Sequence, residues 1–325
     1  MPTALRKFPI LLFVLTTSVL CSRAWSQTTN AAPVNAVDTY MHEGAAAGSR
    51  GDLDGAIAAF TEAIKADPTL ADAYVKRGMA LFFQHKTTDA LADFDKAIQL
   101  NPKDAEAYYQ RGSTKGEAAD FDGALADFNQ AIELQPNYAM AFYNRGHVKY
   151  FKGDLKGALD DLNQAITLNP KHAPSYWVRG VVQLAQESPA PALADFKESL
   201  KDGFAYGAFW VWIDQKENGD RAVADNNLAA ATSNSPLFKP NDWPSTLAGF
   251  LLGKVTQDQL VAKARESDDV PAHLCEAWFY IGMSNRFLGD IKSAKVNFQQ
   301  AIDTGSNQSE EMVEARRELA FLQSE

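Results

Sequence analysis

The sequence predicts an all-α fold, a solenoid of stacked helical hairpins, on two observations. First, prolines recur every 34 residues at Pro68, Pro102, Pro136 and Pro170, and glycines at Gly44, Gly78, Gly112, Gly146 and Gly180. Second, the same register carries three more columns. These are Ala56, Ala90, Ala124, Ala158 and Ala192; Phe60, Phe94, Phe128, Leu162 and Phe196; and Tyr40, Tyr74, Tyr108, Phe142 and Tyr176. A fixed period of this length is the mark of a repeat array, in which each unit buries its apolar face against its neighbours. Composition agrees with a packed protein. The 325 residues are 46% hydrophobic and 22% charged, with a formal net charge of -10. Those values exclude a disordered tail, a collagen-like rod and a disulfide-stapled mini-protein. The acidic balance argues against nucleic acid or anionic lipid as partner, since both call for clustered Lys and Arg.

Residues 1–26 read as a secretory signal. Arg6 and Lys7 open it, a largely apolar stretch of 13 residues follows from Phe8 to Leu20, and Ala24-Trp25-Ser26 offers small residues for cleavage before Gln27. A membrane-spanning helix needs about 20 apolar residues, so an uncleaved anchor is the lesser alternative. Lipid attachment at Cys21 is disfavoured, because Leu20 is bulky where a small residue is wanted. Arg6, Lys7 and Arg23 leave with the signal, so Lys and Arg fall from 31 to 28 against 41 Asp and Glu, a net charge of -13. Only Cys275 then remains, which excludes an intramolecular disulfide and reads as a buried small hydrophobe.

A linker at 27–36 leads to five units over 37–204. Each unit reads as two amphipathic helices of about 13 residues with their backbones close at the glycine and alanine columns. Turn signals such as Arg50-Gly51-Asp52, Ala119-Asp120 and Lys152-Gly153-Asp154 separate the helices, and proline stops the second one. The fifth unit lacks its proline, with Phe204 in that place. Arg77, Arg111, Arg145 and Arg179 recur with Asp93, Asp127, Asp161 and Asp195; the first unit has Glu43 and Ala59 instead. Arginine and aspartate vanish together, which predicts an ion pair between the two helices of a unit and disfavours an arginine row for anionic ligands.

Residues 205–271 read as degenerate helical repeats. Ala205–Thr232 is a weak sixth unit, and 234–242 is a polar loop. Trp243–Lys254 is a helix opened by Asp242 with Pro244 in its first turn. Thr256 and Gln259 form a capping box for a helix to about Arg265. In 272–325 the register returns with Trp278, Gly282, Gly289-Asp290, Ala294, Phe298 and Ala301. A final helix, Glu310–Leu322, is expected to cap the array with Glu and Arg on its open face.

The proline, glycine, alanine and aromatic columns resemble the tetratricopeptide repeat family, which implies a right-handed superhelix of helix-turn-helix repeats. The tail from Trp243 through Phe250–Leu260 and His273–Gly282 to Leu288-Gly-Asp290 resembles the NlpI-type repeat proteins of Gram-negative envelopes. That likeness implies an adaptor bringing peptidoglycan hydrolases to a processing protease, often as a dimer; residues 27–45 are the first place to seek a dimer contact. Members are outer-membrane lipoproteins, and this chain departs from them at Cys21.

No catalytic constellation emerges. His42, His85, His147, His172 and His273 are scattered, and there is no His-Glu-x-x-His, no cysteine pair at metal-ligand spacing and no Gly-x-Ser-x-Gly. The expectation is therefore a non-catalytic protein with no cofactor and no metal. In the repeat family a concave groove is lined from the first helix of each unit. By that likeness the partner-binding residues are Met79, Phe82, Phe83, Tyr109, Tyr143, His147, Tyr150, Phe151 and Trp177. These make an aromatic, weakly acidic groove suited to a protein or peptide ligand. The function expected is a periplasmic scaffold or adaptor, the alternative a subunit of an envelope export or assembly machine, and the remote alternative an enzyme with an unrecognised site.

Overall fold

The structure, a computed structural model, describes residues 36–186, 188–219, 221–234, 237–239, 241–306 and 309–324. The signal expected at 1–26 and the linker, apart from Ala36, lie outside them. Among the described residues there are 17 helices and no strand. They pack as two compact units, one ending at Val148 and one beginning at Lys149.

The first unit holds α1 (Ala36–Ser49), α2 (Leu53–Ala66), α3 (Ala71–Phe83), α4 (Thr87–Leu100), α5 (Ala105–Glu117), α6 (Phe121–Leu134) and most of α7 (Ala139–Phe151). Helices α1/α2, α3/α4 and α5/α6 form antiparallel hairpins, and each second helix packs on the next hairpin. The glycine column shows why. A Cβ at Gly44 would lie 2.5 Å from the ring of Phe60, and one at Gly78 2.7 Å from that of Phe94. The missing side chain is the room into which the facing phenylalanine fits. Burying each ring contributes about 2–3 kcal/mol before entropy is counted.

The punctuation is equally physical. Asp52 and Asp120 accept the N–H of Gly55 and Gly123 at 2.8 and 3.0 Å, satisfying an unpaired donor at each helix start. The turn residue before them is left-handed: Gly51 has φ 78°, but His85 and Ala119 occupy the same register at 60° and 62°. At the other end Asp67 and Asn101 adopt extended backbone before Pro68 and Pro102, as the residue before proline must. The aromatic column then closes on that corner, with the Tyr74 hydroxyl donating to the Pro68 carbonyl at 3.3 Å.

The ion pairs expected at Arg77, Arg111 and Arg179 are present and bidentate. Arg77 reaches Asp93 at 2.8 and 2.7 Å, Arg111 reaches Asp127 at 2.9 and 2.6 Å, and Arg179 reaches Asp195 at 2.8 and 2.7 Å. The third nitrogen bonds a residue 16 positions back, in the previous hairpin: Thr61, Asp95 and Asn163. Each guanidinium also lies 5.5–5.8 Å from the aromatic column at Tyr74, Tyr108 and Tyr176. These arginines tie repeat to repeat; they are not a ligand row.

The second unit continues with α8 (Leu155–Leu168), α9 (Ala173–Ala185), α10 (Pro189–Lys201), α11 (Gly207–Glu217), α12 (Arg221–Asn234), α13 (Trp243–Leu251), α14 (Gln257–Arg265), α15 (Val270–Leu288), α16 (Ile291–Asp303) and α17 (Glu310–Ser324). Asp242 caps α13 and the Thr256–Gln259 capping box is formed. Helix α13 stops at Leu251, short of Lys254, because Gly253 turns left-handed at φ 70°. Helix α15 runs 19 residues, longer than a repeat helix, since Asp269 accepts the Ala272 N–H and Pro271 pre-sets the first turn.

Helix α17 corrects the expectation of an open acidic face. Glu310, Glu311 and Glu314 are 3–4% exposed, whereas Arg316 and Arg317 face solvent. The apolar stripe of Met312, Ala315, Leu319 and Leu322 packs on α15 and α16. The guanidinium of Arg317 donates to the Leu184 carbonyl of α9 at 2.7 Å. Helix α17 thus lies along the first helices of its own unit, and the acidic residues beside the stripe go inward with it. Among the described residues no helix is long and apolar enough to cross a membrane.

Candidate functional site

The groove residues expected from the sequence fall on both units. In the first, Met79, Phe82 and Phe83 stand half-buried near the end of α3, the two rings edge-to-face with centroids 5.7 Å apart. Tyr109, Tyr143 and His147 are each 3% exposed. The Tyr109 hydroxyl accepts from Asn144 at 3.1 Å and its ring lies 4.8 Å from Tyr138, whose hydroxyl donates to Glu106. Tyr143 and His147 stack on each other at 6.0 Å. Burial pushes the Glu117 carboxyl on α5 up to about 8. This face is therefore a packed aromatic floor with a half-buried apolar edge at Met79, Phe82 and Phe83.

In the second unit Tyr150 and Trp177 are 4% and 3% exposed, and Phe151 is half-buried beside Tyr150. Trp177 packs against Phe204 and Tyr206 at 5.2 and 6.3 Å. Residue Phe204, in the place of the missing fifth proline, is thus an aromatic partner. Tyr150 feels Glu310, Glu311 and Glu314 of α17, and burial together with those carboxylates holds its phenol well above the usual range. Helix α17 has taken part of the face that the repeat pattern assigned to a partner.

Sequence reasoning missed the acidic interior this creates. Glu276 accepts from the Trp243 indole at 2.6 Å and the Tyr206 hydroxyl at 3.2 Å. Burial raises its carboxyl, and that of Glu311 beside it, above the usual carboxylate range. Burial also pushes Glu314 up to about 7, with Arg317 pulling the other way. The only signal was positional: Glu310, Glu311 and Glu314 sit next to the apolar stripe of α17, and nothing in their type says which way they face. Cys275 is fully buried, its sulfur 3.2 Å from the Ser309 hydroxyl, and burial pushes the thiol up to about 12. Among the described residues no group of three or more His, Cys, Asp or Glu is placed to hold a metal ion.

Known proteins resemble this arrangement in repeat sequence and in fold. A profile described as TPR repeat matches residues 48–85 and 120–153, and profiles described as tetratricopeptide repeat match 71–104, 139–172 and 276–304. No curated protein sequence matches the chain significantly. Among solved structures, PilW, described as a widely conserved type IV pilus biogenesis factor, shares 20% identity and a TM-score of 0.56 over 64% of this chain and 98% of its own. The pilF protein of Pseudomonas aeruginosa shares 18% identity and a TM-score of 0.56 over 62% of this chain and 95% of its own. Crystal structures of MamA reach 28% identity with a TM-score of 0.46 over 52% of this chain and 92% of theirs. The two likenesses at 0.56 concern the fold alone. With the repeat matches and the hairpin packing they make the chain a tetratricopeptide repeat protein, an all-α solenoid of the kind that serves as a protein-interaction scaffold.

Proposed function

We propose that this protein is a periplasmic scaffold or adaptor that holds partner polypeptides on the inner face of its repeats. The observation that carries the reading is the half-buried apolar edge of Met79 and the Phe82 and Phe83 rings on the first unit, with Phe151 its counterpart on the second. Large rings left half in water on a repeat face are the side chains that carry binding energy when a helical or extended peptide covers them. The buried residues Tyr109, Tyr143, His147, Tyr150 and Trp177 act beneath them, fixing the floor on which the exposed rings stand. Export rests on the signal read in residues 1–26, and a mature chain beginning at Gln27 tests it directly. Likeness of the tail to NlpI-type proteins makes peptidoglycan hydrolases or their processing protease the expected partners. Dimerisation through residues 27–45 belongs to the same reading, and a monomeric mass in light scattering at micromolar concentration would reject it.

A photo-crosslinking residue placed at Phe83 in the native envelope should join a hydrolase or protease. Loss of one true anchor, as in Phe82→Ala, should weaken that partner by more than about 2 kcal/mol. Crosslinks only to transport or polysaccharide components would reject the adaptor role, and capture undiminished by Phe82→Ala with Phe83→Ala would reject the surface.

A further inference from the structure

Within the second unit a cavity of about 370 Å³ opens between α9, α10, α11, α15 and α17. Its floor is apolar, from Phe196, Trp210, Phe279 and Met283; the Phe196 and Trp210 rings stack at 5.4 Å and Phe279 lies 5.9 Å from Trp210. Its rim is charged and unbalanced, with Asp214, Glu217, Glu314 and Glu318 set against Arg286 and Arg317. The arginines are committed: Arg286 to Glu217 at 2.7 Å and Glu318 at 3.3 Å, Arg317 to Leu184 at 2.7 Å and, more loosely, Glu314 at 3.6 Å. Glu314 is 4% exposed, and among the described residues its Oε1 has no hydrogen-bond donor. Trp210 is equally buried, and its indole N–H has no acceptor among those residues.

A buried acceptor left unpaired costs about 1–3 kcal/mol, more for a charged group. An apolar shaft ending in a cation answers both floor and rim. It lays methylenes on Phe196, Trp210 and Met283, supplies Glu314 with donors and offsets the excess of two carboxylates. We infer that this cavity receives the end of a lysine or arginine side chain carried by the polypeptide that the second unit binds. A polypeptide also brings main-chain carbonyls, which serve the Trp210 indole as a free alkylamine cannot. This rests on the protein-binding reading above, but the cavity's preference is measurable without the partner.

Hexylammonium, a mimic of the lysine shaft, and hexanol are titrated into the full chain by tryptophan fluorescence, with Trp210→Phe identifying the signal. Hexylammonium should bind at least tenfold more tightly, and Glu314→Gln should bring the two probes within twofold of each other. Asp214→Asn, on a different helix, should narrow the preference as well and keeps the test sound if Glu314→Gln shifts α17. Equal affinity for hexanol, no binding of either probe at 20 mM, or a preference untouched by both variants overturns the assignment, even where polypeptide capture is intact. A crosslinking residue at Leu193 identifies the source: an adduct to a lysine- or arginine-bearing peptide is expected. Selective ammonium binding by a protein that crosslinks to no polypeptide overturns the partner reading and the polypeptide source with it, leaving the cavity's cation preference standing.

Discussion

Raising the pH from 5 to 8 should loosen the second unit, and Glu314 sets how much. Its side chain is buried, with Glu217 and Glu318 nearby, and Arg317 at 3.6 Å offsets only part of that cost. Burial therefore moves its carboxyl from the ordinary 4.5 to about 7. The folded protein binds this proton more tightly than the unfolded chain. The stabilisation is complete below about pH 4.5 and disappears as pH rises through 7. Two and a half pH units at 1.36 kcal/mol each amount to about 3 kcal/mol. Glu276 and Glu311 are displaced in the same direction, chiefly by burial, with Glu310 adding to both. Trp177, Trp210, Trp212, Trp243 and Trp278 all lie in the second unit, so urea unfolding followed by tryptophan fluorescence reports on it. The measurement compares wild type with Glu314→Gln at both pH values. Buried His172 and half-buried His273, whose imidazoles burial lowers, act in the opposite direction but cancel in that comparison. Because part of the stabilisation is already gone at pH 5, the variant should lose about 2–3 kcal/mol less than wild type between pH 5 and 8. Equal losses would refute the reasoning.

Three further outcomes follow from the repeats and the core. Ala119 is left-handed at φ 62° where the same register has Gly51 and Gly153. Ala119→Gly should therefore stabilise the first unit by about 0.5–1 kcal/mol in chemical unfolding, and Gly153→Ala should destabilise. A double-mutant cycle on Arg111 and Asp127, bonded at 2.9 and 2.6 Å, should give a coupling energy above about 1 kcal/mol; additive effects would dissolve the pair. Cys275, fully buried with its thiol pushed up to about 12, should resist a thiol reagent at pH 8 until urea unfolds the second unit.

How much the sequence disclosed differs along the chain. Over 37–204 the columns announced hairpins, turns and ion pairs, because every unit faces the same neighbours and meets the same sterics. Gly78 is glycine for the Phe94 ring, and Pro68 ends a helix wherever it stands. The third bond of each arginine escaped notice because it crosses to the preceding hairpin, although Thr61, Asp95 and Asn163 keep the period too. In the tail the caps at Asp242 and Thr256 were legible, since capping depends on four consecutive residues. The length of α15 and the inward face of α17 were not, because each depends on what lies opposite.

Sequence alone therefore determined the all-α class, the period and, over 37–204, the places where helices start and stop, all fixed by interactions within a few residues or within one repeat. Tertiary structure decided the side on which α17 lies, and hence that Glu310, Glu311 and Glu314 are buried and that Tyr150 is covered. A helix bearing an apolar stripe flanked by glutamates can turn only one face to the core. The partners already standing there, Tyr150, Tyr206 and the Leu184 carbonyl, settled which residues went in with the stripe.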